Sequence, residues 1–263
     1  MENFFHDEGA IGEIGLSTRI RKHKVMKTKA AVLYEMGLPR PFTRSNPLKI
    51  EELTLDPPGI NEVVVKIKAV GLCHSDLSVI DGNLPIPLPM ILGHEAAGEV
   101  IELGSGVKKL EIGDHVVFTF LPSCGSCNYC QTGRAALCGP GAKANADGTL
   151  LDGHQRIHKK ESYYYHHLGV SGFAEYSVAS VDSLVKIEPD IPFEIAALFG
   201  CAVMTGVGAV VNTAALKFGE TILVVGLGGV GLSAILGARA AGATQIIAAD
   251  LNPDKRALAL SLG

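Results

Sequence analysis

The chain has 263 residues, of which 47% are hydrophobic and 19% are charged, and its formal net charge is −4. This length allows one large domain or two ordinary ones, and the composition is that of a soluble globular protein. The slightly negative charge gives no reason to expect a nucleic acid or an anionic membrane as a partner.

Residues 1–25 are expected to form a flexible extension, or to precede a translation start at Met26. They contain acidic residues and lack a continuous apolar core, which argues against a secretory signal or a transit peptide. The basic run at residues 19–24 is interpreted as a solvated tail. The longest apolar run, residues 195–211, is short for a membrane span and is predicted to be a buried helix.

The predicted location is therefore cytoplasmic. In that compartment, cysteines are more often metal ligands or catalytic groups than disulfide partners. The chain has six cysteines.

Three separate motifs together supply the ligands of a metal site. The segment EVVVKIKAV has the composition of a strand and is followed by GLCHSD, which contains Cys73. His94 lies between two further β-like segments, and Cys201, in GCAVMTG, is at the head of an apolar helical stretch within the long apolar run. Each residue alone would be interpreted as structural, but two cysteines and a histidine can hold zinc with a fourth position open, as catalytic zinc requires.

A second cysteine cluster follows in the stretch PSCGSCNYCQTGRAALC. Its spacing exceeds what a redox CxxC pair needs, and its last gap of seven residues differs from the ferredoxin pattern of an iron–sulfur cluster. Four thiolates in a loop rich in turn-forming residues favour a closed structural zinc site. The four ligands are Cys124, Cys127, Cys130 and Cys138.

Four further histidines are interpreted without a metal. His154, His158, His166 and His167 lie in a segment rich in Lys and Tyr that is predicted to be a polar loop. No third metal site is expected from them.

The last part of the chain has the pattern of a dinucleotide-binding unit. The segment TILVV is a predicted strand, a glycine turn leads into a predicted helix, and a second strand ends in Asp250. The glycines allow the backbone to approach a pyrophosphate, and Asp250 would accept hydrogen bonds from the ribose hydroxyls and repel a 2′-phosphate, so NAD is favoured over NADP. The glycine turn contains Gly226, Gly228, Gly229 and Gly231.

These motifs, in this order, resemble the zinc-containing medium-chain alcohol dehydrogenases from about Met26 to the last residue. GHEAAGEVIELGSGV fits the zinc signature of that family, the four-cysteine loop has its spacing, and HHLGVSGFAEYSV is similar to a segment of its catalytic domain. The resemblance implies α/β and β architecture: a GroES-like β-rich catalytic domain over residues 26–200, then an incomplete Rossmann doubly wound domain over residues 201–263.

For the chemistry, the expected reaction is hydride transfer from a primary or secondary alcohol to NAD⁺, giving an aldehyde or a ketone. Zinc, neutralised by the two thiolates, would lower the pKa of a bound alcohol. Ser75 would carry the proton away, Asp76 would orient His94, and Glu95 would act as a neighbouring acid or transient ligand. Relatives often complete the proton relay with a histidine, where this chain has Ser78.

The remaining roles are implied by the resemblance alone. His74 would face the cofactor pyrophosphate, Thr205 and Val230 the nicotinamide, Lys255 the ribose, and Phe120 the substrate pocket. The intact form is expected to be a homo-oligomer.

Alternatives follow from the same motifs. An S-(hydroxymethyl)glutathione dehydrogenase would share all of them, whereas a zinc-free quinone reductase would not need the cysteines. From Thr221 onward, forty-three residues provide two strands of a sheet that needs about six. A non-catalytic, zinc-stabilised fragment of a longer protein is therefore the alternative from a different class.

Overall fold

The computed structural model describes residues 25–263. The predictions for residues 1–24, including the basic tail, lie outside the described residues.

The first structural unit is a closed five-stranded barrel with the strand order β1–β2–β7–β8–β4. In β1, MKTKAAVL, small and apolar side chains at Ala30 and Val32 point inward, and the strand pairs antiparallel with β2. Leu53, Ile91 and Ile157 from three other strands complete this core. The barrel strands are β1 (Met26–Leu33), β2 (Leu48–Leu55), β4 (Met90–Ile91), β7 (Ile157–Lys159) and β8 (Ser162–His166).

A five-stranded sheet with the order β10–β6–β5–β3–β9 forms the second unit. Its longest strand, EVVVKIKAVG, lies between β5 and β9 and is the strand predicted before the GLCHSD motif; its first four residues are buried. The valines Val63 and Val65 pack against Val100 and Phe118. The strands are β3 (Glu62–Gly71), β5 (Glu95–Leu103), β6 (His115–Phe118), β9 (Tyr176–Ser180) and β10 (Leu184–Lys186).

Short helices fill the connections of these two sheets. They are α1 (Phe42–Ser45), α2 (His74–Ile80), α3 (Asn128–Gln131) and α4 (Gly139–Asp147), with 3₁₀ turns at Ala135–Leu137 and Val181–Ser183.

The C-terminal unit is a β–α–β arrangement, as the glycine motif predicts. Two parallel strands pair in register from Thr221↔Gln245 to Val225↔Ala249, and their apolar residues pack with those of the intervening helix around Leu227 and Ile235. The elements are β11 (Thr221–Val225), α7 (Gly229–Ala240), β12 (Gln245–Ala249) and α8 (Pro253–Ser261). A β-rich part followed by a partial doubly wound unit confirms the predicted fold class.

One long helix, Phe193–Thr213, joins the two parts. It contains α5 (Phe193–Leu198) and α6 (Met204–Gly208), each followed by a π-helical segment. Among the described residues, it is the one helix whose length and composition would allow it to cross a membrane. Its Ala196 and Ala197 pack on Ala97 of the second sheet.

The prediction that this segment is a buried helix was wrong. Only 28% of its apolar window is buried. Hydropathy shows that the segment is apolar, but not how many of its faces are covered. The described residues cover the faces that pack on β3, β5 and α7, and Ile195 and Phe199 are about half exposed.

A buried ion pair fastens the barrel to the second sheet, and it yields a testable prediction. The carboxylate of Glu62, at the start of β3, is 2% exposed and accepts from Arg156, just before β7, with Nε–Oε2 at 2.8 Å. Arg156→Ala is expected to lower the free energy of unfolding by about 3–5 kcal/mol, because it leaves a buried charge unpaired. Chemical denaturation measures this.

The control is the exposed pair of Arg40 and Asp81. Arg40→Ala is expected to lower the free energy of unfolding much less, because solvent screens an exposed ion pair. Adding Glu62→Gln to Arg156→Ala should restore part of the loss. Equal costs for the two arginine variants would contradict the argument.

Candidate metal centre and cofactor-binding turn

The first metal motif is organised by the N-terminus of α2. Cys73 is the N-cap residue, and Asp76 is the third residue of the helix. The Asp76 carboxylate accepts from the Cys73 backbone N–H at 3.4 Å, while the Cys73 side chain accepts from the Asp76 backbone N–H. The sequence C-H-S-D therefore closes a capping box that fixes the Cys73 thiol at the start of the helix.

Four donor atoms from distant parts of the chain meet beside this cap. Sγ of Cys73, a ring nitrogen of His94, a carboxylate oxygen of Glu95 and Sγ of Cys201 lie within 4.8 Å of one another. His94 and Glu95 are buried at the start of β5, and Cys201 lies in the π-helical segment Phe199–Val203. The structure thus brings together the three predicted ligands and places Glu95 with them.

Hydrogen bonding determines how His94 is oriented. Its Nδ1 lies 3.3 Å from the Asp76 carboxylate, so Nε2 is the nitrogen left for a metal. Burial by itself lowers the pKa of His94, but the hydrogen bonds with Asp76 and Cys201 outweigh it and raise the pKa to about 11. The donor set of two thiols and one imidazole with a carboxylate partner suits zinc.

Gly71, the last residue of β3, provides the space for Glu95. A Cβ at position 71 would lie 2.2 Å from Oε2 of Glu95. Any larger residue there would displace the carboxylate from the donor cluster.

The predicted four-cysteine loop also closes on itself. The sulfur atoms of Cys124, Cys127, Cys130 and Cys138 lie within 4.8 Å of one another, and none forms a disulfide. Backbone N–H groups point at the sulfurs, as around metal-bound thiolates: the Cys127 N–H donates to Sγ of Cys124 and the Gly141 N–H to Sγ of Cys138, both at 3.3 Å. The backbone N–H and then the hydroxyl of Ser126 lower the pKa of the Cys124 thiol to about 6.

The glycine turn has the geometry expected of a dinucleotide-binding turn. Gly226 has a φ of +90°, and a Cβ at Gly231 would lie 1.8 Å from the Gly226 carbonyl oxygen. At the end of β12, Asp250 accepts from the Leu227 N–H at 2.8 Å, and Nζ of Lys255 lies 4.0 Å from its carboxylate. Backbone hydrogen bonds, first from Leu227, hold the pKa of Asp250 below its ordinary value. A cavity of about 420 Å³ opens beside Gly226 and Asp250.

The other predicted residues surround these groups. His74 and Ser75 are exposed at the start of α2, with Oγ of Ser75 3.7 Å from Sγ of Cys73. The Phe120 ring stands edge-on to the His94 ring, with centroids 6.1 Å apart.

Thr205 and Val230 lie where the long helix meets the glycine turn. Thr205 is exposed and precedes Gly206, where a Cβ would lie 2.3 Å from the Val230 carbonyl oxygen. Gly228 is the N-cap residue of α7, and Gly229 is its first residue.

The interpretation of His166 and His167 as parts of a polar loop was wrong, because both are buried. His166 ends β8 on the same inward face as Tyr164, an alternation that the strand period could have revealed. Nδ1 of His167 lies 3.2 Å from the Asp76 carboxylate, beside the metal cluster. Nothing in the local sequence indicated that contact, since it depends on how the turn after β8 folds back.

The fold and the two cysteine sites resemble those of zinc-binding dehydrogenases, and comparison with known proteins agrees. Residues 59–189 match the family model of the alcohol dehydrogenase GroES-like domain. The chain is 42% identical over 239 residues to an S-(hydroxymethyl)glutathione dehydrogenase of Synechocystis, an alignment that covers 90% of this chain and 63% of the relative.

Solved structures give the same result. An alcohol dehydrogenase zinc-binding domain protein from Burkholderia ambifaria superimposes with a TM-score of 0.83 at 39% identity, over 91% of this chain and 63% of that one. Benzyl alcohol dehydrogenase from Acinetobacter calcoaceticus has a TM-score of 0.81 at 34% identity, over 90% and 62%. Two further matched structures were solved with NAD and with NADP.

The chain belongs to the zinc-containing medium-chain alcohol dehydrogenase family, which confirms the predicted resemblance. It spans about 63% of the length of the first of these relatives.

Proposed function

We propose that this protein is an NAD-dependent alcohol dehydrogenase that oxidises a primary or secondary alcohol to an aldehyde or a ketone. The observation that supports this most directly is the convergence of Cys73, His94 and Cys201 within 4.8 Å. Three protein ligands leave a fourth position for a small-molecule substrate.

Cys73, His94 and Cys201 would hold the catalytic zinc, which when bound supplies a Lewis acid that lowers the pKa of the alcohol, while the nicotinamide of NAD accepts the hydride. Ser75, at the exposed end of α2, takes the proton of the alcohol and passes it toward solvent. Ser78 stands where a relay histidine is often found in relatives.

The neighbouring residues hold and shape this site. Asp76 orients the His94 ring, and Glu95 is a nearby carboxylate that can enter the ligand set. Phe120, edge-on to His94, forms a wall of the substrate pocket. His74, exposed beside Cys73, faces the cofactor phosphates.

The family supports a nicotinamide dinucleotide as cofactor, and we propose NAD in particular. Gly226, Gly228, Gly229 and Gly231 leave the N-terminus of α7 open to the pyrophosphate. Asp250 and Lys255 bind the ribose, and the charge of Asp250 disfavours a 2′-phosphate. Thr205 and Val230 would contact the nicotinamide.

The four-cysteine loop is proposed to hold a second, structural zinc ion. Its four thiols leave no open position, and the N–H groups directed at them stabilise thiolates. We further propose a catalytic domain over residues 26–200, a cofactor domain from residue 201, a cytoplasmic location and a homo-oligomeric intact form.

A second candidate is S-(hydroxymethyl)glutathione oxidation, which is favoured by the identity to the Synechocystis enzyme of that name. NAD reduction with benzyl alcohol, compared with reduction by formaldehyde plus glutathione, separates the two. A clear preference for the glutathione adduct would replace the proposed substrate class.

The first prediction from this proposal concerns metal content. Elemental analysis of the purified protein should give about two zinc ions per chain. Cys73→Ala should lower the value to about one, because it removes a ligand from the three-ligand site and leaves the four-cysteine loop intact. Cys124→Ser is the matched variant and should remove the other ion.

A content of one zinc ion that Cys73→Ala does not change would contradict the catalytic site. The chain would then be a zinc-stabilised polypeptide without that function.

The second prediction concerns the cofactor. Asp250→Asn keeps an oxygen that accepts from Leu227 but removes the charge, so the affinity for NADH should fall by about 10–100-fold, as expected for a lost hydrogen bond to a charged group. The discrimination against NADPH should fall with it. Fluorescence titration with each cofactor measures both effects.

Asp254→Asn, an exposed acid in the first turn of α8, is the control and should leave both affinities unchanged. Equal behaviour of the two variants would contradict the assigned role of Asp250.

A further inference from the structure

His167 is a buried histidine for which the proposed reaction has no role. Its side chain is 4% exposed, and its Nδ1 has no aligned hydrogen bond to any residue that the structure describes. The Asp76 carboxylate, 3.2 Å from this nitrogen, is therefore the group that compensates its burial. His167 therefore contacts the same carboxylate that orients the His94 ring.

The two histidines share Asp76 from different directions. Nδ1 of His94 and Nδ1 of His167 lie 3.3 and 3.2 Å from Oδ1 of Asp76, and the two rings stand nearly perpendicular with centroids 5.5 Å apart. The same oxygen accepts from the Gly93 N–H at 3.0 Å. Although burial raises the pKa of Asp76, the contacts with His167 and then His94 hold that pKa well below its ordinary value.

The backbone around His167 is built to hold this position. The turn after β8 places Leu168 at φ +53° and Ser171 at φ +52°, a left-handed conformation that costs energy for residues other than glycine. The Ser171 hydroxyl accepts from the His167 N–H at 3.2 Å, and the His167 carbonyl accepts from the Val170 N–H at 3.0 Å. A strained turn that closes on His167 directs the ring toward Asp76.

We propose that His167 is a positioning residue of the Cys73–His94–Cys201 metal site. By occupying one side of the Asp76 carboxylate, it keeps that carboxylate aligned with Nδ1 of His94, so that Nε2 faces the metal. This inference rests on the proposed zinc site. It adds His167 to the residues that hold the Asp76 carboxylate in place.

Zinc affinity tests the role directly. His167→Leu removes the nitrogen at similar volume and should weaken zinc binding at this site by about 10–100-fold, the usual cost of losing a group that orients a metal ligand. The four-cysteine site should keep its affinity. Competition with a chelator separates the release of zinc from the two sites into two steps. Cys73→Ala identifies which step belongs to the three-ligand site.

Two further variants separate positioning from general damage. His167→Asn keeps a nitrogen near the position of Nδ1 and should retain an affinity within about threefold of wild type. His166→Leu alters the adjacent buried histidine, whose Nε2 accepts from the Arg156 N–H and whose Nδ1 contacts the Ser171 hydroxyl, so it disturbs the same turn without removing the group beside Asp76. It should lower stability but leave the affinity unchanged. His167→Ala is a second donor-free variant should the leucine variant fail to fold.

Cobalt provides a readout independent of affinity. The absorption of Co²⁺ at the three-ligand site should change in His167→Leu and not in His167→Asn, because the coordination geometry depends on the His94 ring.

Three results would overturn the inference. Unchanged affinity and spectrum in His167→Leu would show that Asp76 needs no second partner. Equal weakening by His166→Leu would show a general effect of the turn. A wild-type protein that binds zinc at the four-cysteine loop alone would overturn the proposed function, and this inference with it.

Discussion

The candidate metal centre depends on one buried carboxylate, that of Asp76. It caps α2 through the Cys73 N–H, accepts from the Gly93 N–H and contacts two imidazole rings. These groups come from three separate segments of the chain. A buried carboxylate is costly unless such partners surround it. The arrangement of the segments and the stability of the charge therefore depend on each other.

The donor cluster is buried on one side and accessible on the other. His94 and Glu95 are fixed within the protein at the start of β5, whereas Cys73 lies at a helix end whose next two residues are exposed. One side of the cluster is thus held by hydrogen bonds and packing, and the other borders solvent. A metal bound there would have rigid ligands and an open approach for a small molecule, the combination that separates catalytic from structural zinc sites.

Much of this arrangement could be predicted from the sequence because its motifs are local. The four cysteines of residues 124–138 and the glycine turn each depend on spacing within a short segment, and both have the predicted geometry. The capping box of Cys73 and Asp76 is equally local but was not predicted. The meeting of Cys73, His94 and Cys201 is not local. It was predicted from the ligands that zinc prefers, together with the family resemblance.

Two predictions failed where a residue's surroundings depend on tertiary packing. His167 follows a strand in a polar-looking segment, and only the fold of the turn after β8 brings it to Asp76. The long helix was expected to be buried because its residues are apolar, yet hydropathy does not say how many of its faces meet a partner. In both cases the composition of the segment was read correctly, but the neighbours that determine burial lie elsewhere in the chain.

The long helix also fixes the donor cluster relative to the glycine turn. Cys201 lies in its first π-helical segment, and Gly206, one turn later, packs against the Val230 carbonyl at the start of α7. The same rigid element therefore holds a thiol of the donor cluster and the first turn of the glycine-rich helix. Movement of one relative to the other would require bending the helix or opening the close contact at Gly206. Reaction geometry between a metal-bound substrate and a dinucleotide must be held within fractions of an ångström. A helix shared by both sites provides such a constraint without a long chain of intermediate contacts.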